Sequence, residues 1–348
     1  MGSLRRKTFT KPAPTRPMRF VSIAILGLLL GAAGCGNENA AQRAFERGVA
    51  HAGLGDTDKA IADYTEAIRL KPDFADAYYN RGVAYGSKGD TDRAIGDYTD
   101  AIRLDPQLAR AYMNRGNAHS RMGQFDKAIA DLTEAIRLDP KSALAYYNRG
   151  VAYGSKGDSD KAIADYTEAI RLDPNSANAH HNRGVANHGK GDTDKAIADY
   201  TEAIRLDPDY ALAYYNRGLL YARDKGELDK AIADFTDAIR LNPKNAEACY
   251  DRGLAYDRKG ELDRAIADYS AAIRLNPEYA EGYANRAGAY CDKGELDKAI
   301  ADHTEAIRLL PNNGLPYYNR GLAYDKKGEK AKAEADFAKA KELGYEPE

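Results

Sequence analysis

The chain has 348 residues, 43% of them hydrophobic and 30% charged, with 51 basic against 53 acidic side chains. It is too polar for an integral membrane protein, and its ordinary use of glycine (31) and proline (13) is unlike that of a low-complexity chain. Six bases and no acid fall within residues 1–34 (Arg5, Arg6, Lys7, Lys11, Arg16, Arg19), so the body of the chain is net acidic, the wrong sign for a nucleic-acid partner.

Phe20 to Gly34 (FVSIAILGLLLGAAG) is an apolar run of 15 residues, shorter than the roughly 20 that a bilayer-spanning helix needs. A basic segment, a short apolar stretch and then small residues have the layout of a secretory signal peptide. The run ends in Ala32-Ala33-Gly34-Cys35, which resembles the lipobox of bacterial lipoproteins, with Ala32 where Leu is usual. The resemblance implies a leader over 1–34, acylation of Cys35 and a short tether over 35–40. Two or three acyl chains, at about 0.8 kcal/mol per buried CH2, would hold such a protein on a membrane. Gly36 in place of Asp after the cysteine implies, by that family's sorting rule, the outer membrane. Met18-Arg19 opens a complete shorter leader of its own, whereas Thr8 interrupts a twin-arginine reading of Arg5-Arg6.

Beyond the leader the prolines set a period. Pro72, Pro106, Pro140, Pro174 and Pro208 are 34 apart; Pro243 follows at 35, then Pro277 and Pro311 at 34. A period of 34 marks a helix–turn–helix array. In the copy over 75–108, Tyr78, Gly82 and Tyr85 share one face of a first helix, and Ala94, Ile95, Tyr98, Ala101 and Ile102 stripe a second. Between them Gly89 suits a left-handed helix end, Asp90 or Thr91 an N-cap, and Pro106 a stop.

The pattern Tyr78, Gly82, Tyr85, Ala94, Tyr98, Ala101, Pro106 resembles the tetratricopeptide repeat, and it recurs along the chain. The copies run 41–74, 75–108, 109–142, 143–176, 177–210, 211–245, 246–279, 280–313 and 314–347. The resemblance implies an all-α protein, a right-handed α-solenoid of nine helix–turn–helix units. The sixth copy holds one extra residue within 222–225, at its inter-helix turn. Tyr78–Asp90 and Tyr146–Asp158 are the same thirteen letters, the mark of duplication. In the ninth copy Glu334 and Lys341 replace isoleucines present in the eight others, so its last helix, over 331–343, reads as a polar end cap.

Two charges recur in every copy. An arginine precedes the glycine position (Arg47, Arg81, Arg115, Arg149, Arg183, Arg217, Arg252, Arg286, Arg320), filled by Ala287 in the eighth copy, and an aspartate precedes the second helix's core residue (Asp63, Asp97, Asp131, Asp165, Asp199, Asp234, Asp268, Asp302, Asp336). Antiparallel helices bring them together, which predicts a structural ion-pair ladder in preference to an anion-binding row.

First helices of such repeats line the concave wall. There an asparagine stands before the arginine in seven copies: Asn80, Asn114, Asn148, Asn182, Asn216, Asn285 and Asn319, with Glu46 and Asp251 in the others. An amide offers a donor and an acceptor, the chemistry that grips a peptide backbone. The row is similar to the asparagine ladder in the repeat domain of O-GlcNAc transferase, although no transferase domain follows. Before it stand Tyr79, Tyr147, Tyr215, Tyr250 and Tyr318; beyond it lie Val83, Val151, Val185, Leu219, Leu254 and Leu322. Aromatic and aliphatic anchors beside amides make a candidate peptide groove. The lysine clamp of chaperone-cofactor repeats is replaced by tyrosine.

His180, His181 and His188 form a weak candidate metal cluster, more simply read as drift from Tyr. Cys249 and Cys291 lie eight places apart in repeat register, about 12 Å of helix rise, and read as free thiols. No phosphate loop, nucleophile elbow or zinc-ligand spacing occurs. The expectation is a non-enzymatic scaffold without metal or cofactor, lipid-anchored in the bacterial envelope, facing the periplasm and binding extended polypeptides. The alternative is a structural or self-associating spacer, and oligomeric state is left open.

Overall fold

The computed structural model describes residues 36–346; the leader and the lipidation residue Cys35 lie outside the described residues. Among the described residues every regular element is helical. The chain divides into two compact units, one ending at Asp192 and the other beginning at Thr193. The division falls between the two helices of the fifth copy, where the sequence reading has one continuous array.

The first unit holds α1 (Gly36–Gly53), α2 (Thr57–Leu70), α3 (Ala75–Ser87), α4 (Thr91–Leu104), α5 (Ala109–Arg121), α6 (Phe125–Leu138), α7 (Ala143–Lys156), α8 (Ser159–Leu172) and α9 (Ala177–Gly189). The second holds α10 (Thr193–Leu206), α11 (Ala211–Leu220), α12 (Leu228–Leu241), α13 (Ala246–Arg258), α14 (Leu262–Leu275), α15 (Ala280–Asp292), α16 (Leu296–Leu309), α17 (Gly314–Lys326) and α18 (Lys330–Glu342). One boundary departs from expectation. The first helix opens at Gly36, so residues 36–40, read as tether, are its first turns. Ala40 and Ala41 favour helix, and the Ala41 side chain is already buried.

Within each unit, each helix packs on the next in sequence, and first helices of successive repeats touch, as α3 does α5 and α13 does α15. The core is therefore a file of small cores instead of one centre. In the second helices the predicted stripe is buried at its alanines and its ring, Ala94, Tyr98 and Ala101 in α4 and Ala162, Tyr166 and Ala169 in α8, whereas Ile95 and Ile102 are half-buried. In most copies the first-helix glycine lets the second-helix ring lie against backbone. A Cβ on Gly150 would sit 2.7 Å from the Tyr166 ring, and one on Gly82 2.8 Å from Tyr98.

Turns follow the sequence signals. Gly89 takes φ +82°, and Asp90 accepts a hydrogen bond from the Arg93 N–H at 3.2 Å, capping α4. At the repeat junction the Asp105 carboxylate accepts from the Gln107 N–H at 2.9 Å across Pro106. The extra residue of the sixth copy winds Tyr221–Lys225 into a π-turn that extends α11 and ends at left-handed Gly226. On α18, Glu334 and Lys341 are exposed.

A ladder on the loop side was not foreseen. Lysines at the end of first helices reach aspartates of the preceding second helix: Lys88 to Asp58, Lys156 to Asp126, Lys259 to Asp229 (2.6 Å) and Lys327 to Asp297 (2.6 Å). These aspartates are exposed, so each pair is worth about 0–1 kcal/mol. In the third copy Met122 occupies the lysine position.

Candidate functional site: the first-helix wall

The recurring arginines are staples. Arg149 Nε and Nη2 donate to the two Asp165 oxygens, both at 2.8 Å, while Nη1 donates to Thr133 of the preceding repeat at 3.1 Å. Arg81 to Asp97 and Thr65, Arg115 to Asp131 and Thr99, and Arg252 to Asp268 and Thr236 repeat this geometry. The Arg149 side chain is 17% exposed and Asp165 8%. The guanidinium also lies over Tyr146 and Tyr153. Its hydrogen bonds to Asp165 raise its proton affinity further. The shielded members of the row are thus held within and between repeats, whereas Arg47 of the first copy pairs with Asp63 while 56% exposed.

The asparagines also turn inward. Asn114 Nδ2 donates to the Tyr79 hydroxyl of the preceding repeat at 3.1 Å, Asn182 to Tyr147 at 3.0 Å and Asn285 to Tyr250 at 2.6 Å. Tyrosine and asparagine, 35 residues apart, form one seam between neighbouring first helices. Where the earlier residue is Phe45, Asn80 donates instead to its own helix, to the Asp76 carbonyl at 2.8 Å. Asn114, Asn148 and Asn182 are buried, as are Tyr147, Tyr215 and Tyr250. For these buried members the expected place on an open groove is corrected, and Asn114 and Asn182 spend their Nδ2 donors between helices. Asn80, Asn216, Asn285, Asn319, Tyr79 and Tyr318 remain half-buried.

The seventh copy inverts the seam. Asp251 replaces the asparagine and accepts from the Tyr215 hydroxyl at 2.7 Å. Its second oxygen meets Arg223 at 3.3 Å, carried by the π-turn. Arg258 in turn donates to the Ala222 carbonyl of that turn at 2.7 Å.

Sequence profiles of the tetratricopeptide repeat match residues 48–89, 75–108, 113–177, 165–198, 188–224, 219–280, 288–328 and 316–343. The chain belongs to the tetratricopeptide-repeat family. Among solved structures it is similar to MamA (32% identity, 48% of this chain and 96% of that one, TM-score 0.45). It is also similar to a tetratricopeptide repeat protein from Parabacteroides merdae (21%, 68% and 94%, TM-score 0.53) and to Pseudomonas aeruginosa PilF (19%, 65% and 99%, TM-score 0.53). The last two likenesses concern the fold. A search of curated proteins returns no match. As a tetratricopeptide-repeat protein the chain is a protein–protein interaction scaffold.

A few first helices leave a large aliphatic side chain accessible. Leu144 is 37% exposed and, with Tyr147, Ala169, Asp173, Ser176 and Asn178, lines a shallow pocket of about 110 Å³. On α17, Leu315 (41%) and Leu322 (39%) are exposed one turn either side of half-buried Tyr318 and Asn319. Leu144 and Leu315, at the second position of their helices, escaped the sequence reading, which followed residues beside the arginine.

The remaining candidates separate. His181 is fully buried and His188 exposed, so the two share no open face. Burial brings the His181 imidazole down to about 4, a neutral core ring, despite its hydrogen bond with Asn182. Among the described residues no three His, Cys, Asp or Glu side chains cluster as metal ligands, and no helix is long and apolar enough to cross a membrane. Cys249 and Cys291 are free thiols, and burial raises both above the ordinary thiol range.

Proposed function

We propose that this protein is a lipid-anchored adaptor of the bacterial envelope, tethered through Cys35 and facing the periplasm, that binds extended polypeptide segments along its first-helix walls. The observation that carries the reading is the accessible stripe Leu315–Tyr318/Asn319–Leu322 on α17, with the exposed Leu144 of α7 a second aliphatic on such a wall. Residues four and seven apart share a helix face, and partly exposed aliphatics beside polar side chains are what helix-wall recognition of peptides uses. Within the asparagine row, the half-buried Asn319 fits contact better than the buried members.

Photocrosslinking in the native cell tests this. A benzoylphenylalanine at 144 or 322 should give adducts with other polypeptides, whereas one at Lys341 on the outer face of α18 should not. Adducts only between copies of the chain would favour the self-associating spacer. Cys35→Ser should abolish palmitate labelling and release the protein from membranes; an unlabelled wild type would remove the anchor from the proposal.

A further inference from the structure

One seam of the first unit lacks its hydroxyl. Asn148 is 1% exposed, and neither its Nδ2 nor its Oδ1 has a partner among protein groups. The cause is two substitutions in the third copy. Met113 stands where Tyr79 serves Asn114 and Tyr147 serves Asn182. Leu132 stands where the second helix of neighbouring copies has the larger Tyr98 and Tyr166. Asn148 has thus lost the phenol that in the Asn114 and Asn182 seams accepts a hydrogen bond from the amide, and a second ring beside it.

The wall of α5 that carries Met113 is polar as well. Asn114 Oδ1, Asn117 Oδ1 and Ser120 Oγ are buried without protein partners. They recur every three residues and so share one stripe. Other copies have Val83, Val151 or Val185 at the place of Asn117, and Gly86 or Gly154 at that of Ser120.

A buried amide that neither gives nor receives a hydrogen bond is costly, and native interiors satisfy such groups with ordered water. Methionine and leucine are both shorter than tyrosine, and a water needs only about 30 Å³ with two or more polar partners. We propose that the seam between the third and fourth repeats is an internal hydration site, in which a water held by Asn148 Nδ2 and Oδ1 takes the place of the missing tyrosine hydroxyl. Displacing it breaks no bond between protein groups, which is untrue of the Asn114 and Asn182 seams.

A crystal structure of the full mature chain at about 1.5 Å resolution tests this. The expected result is a spherical density peak within about 2.7–3.2 Å of Asn148 Nδ2 or Oδ1, with no such peak between Asn182 and Tyr147. Met113→Tyr should replace the peak with its own hydroxyl. Should that variant fail to fold, Leu132→Tyr serves, because Gly116 leaves the same space for a ring that Gly150 leaves for Tyr166. A dry niche in the wild type, or an Asn148 side chain bonded to another protein group, overturns the proposal.

Discussion

Asp165→Arg should cost about 3–5 kcal/mol of stability, and Arg149→Leu distinctly less. The first change sets two guanidiniums against each other in a site where the native pair is largely shielded from water. It also strips Arg149 of both its carboxylate bonds while leaving the charge in place. Arg149→Leu leaves one carboxylate without its partner but sets no like charge against it; the lost bond to Thr133 adds only about 0.5–1.5 kcal/mol. The double variant Arg149→Leu/Asp165→Leu should return close to wild type, because an apolar pair of similar bulk carries no desolvation cost. Urea melts of the four proteins check this. If Arg149→Leu proved the more damaging single change, the stapling role of the pair would fall, and a role for the arginine outside it would need to be sought.

The period of 34 and the Gly–aromatic spacing carried the hairpins, the turns and the arginine–aspartate pairing, because each is decided within one repeat. The asparagine seam was harder to read. Its bonds join residues 35 apart, so an asparagine's partner lies in the preceding copy and is invisible when copies are merely aligned. A signal was present nonetheless. Asn114, Asn182 and Asn285 each follow a tyrosine by 35, whereas Asn80 follows Phe45 and Asn148 follows Met113, and the structure treats these two differently. The extra residue of the sixth copy and the aspartate of the seventh likewise look unrelated in the sequence. In space they are one change, since the π-turn delivers Arg223 to the carboxylate that replaced a neutral amide.

A second paired departure leads to the other large effect. In the eighth copy His303 occupies the core position of Tyr269, and Ala287 occupies that of Gly253. Both are buried. A Cβ on Gly253 would lie 2.9 Å from the Tyr269 ring, so the smaller imidazole is what makes room for the alanine methyl. The exchange carries a liability. Burial, with Arg320 nearby and against the opposing pull of Asp336, brings the His303 imidazole down to about 4. In the unfolded chain the ring titrates near 6.5, so between these values the unfolded state binds the proton that the folded state refuses. Stability from His303 is therefore complete above about pH 6.5 and is lost as pH falls toward 4. The loss should reach about 2–3 kcal/mol by pH 4.5. His303→Tyr by itself should destabilise at neutral pH by about 1–3 kcal/mol, since the phenol meets the Ala287 methyl. Ala287→Gly/His303→Tyr should restore neutral-pH stability and remove that share of the acid loss. Urea unfolding of wild type and double variant at pH 7 and pH 4.5 decides it: if both lose the same stability on acidification, His303 is not the group that the folded core keeps neutral.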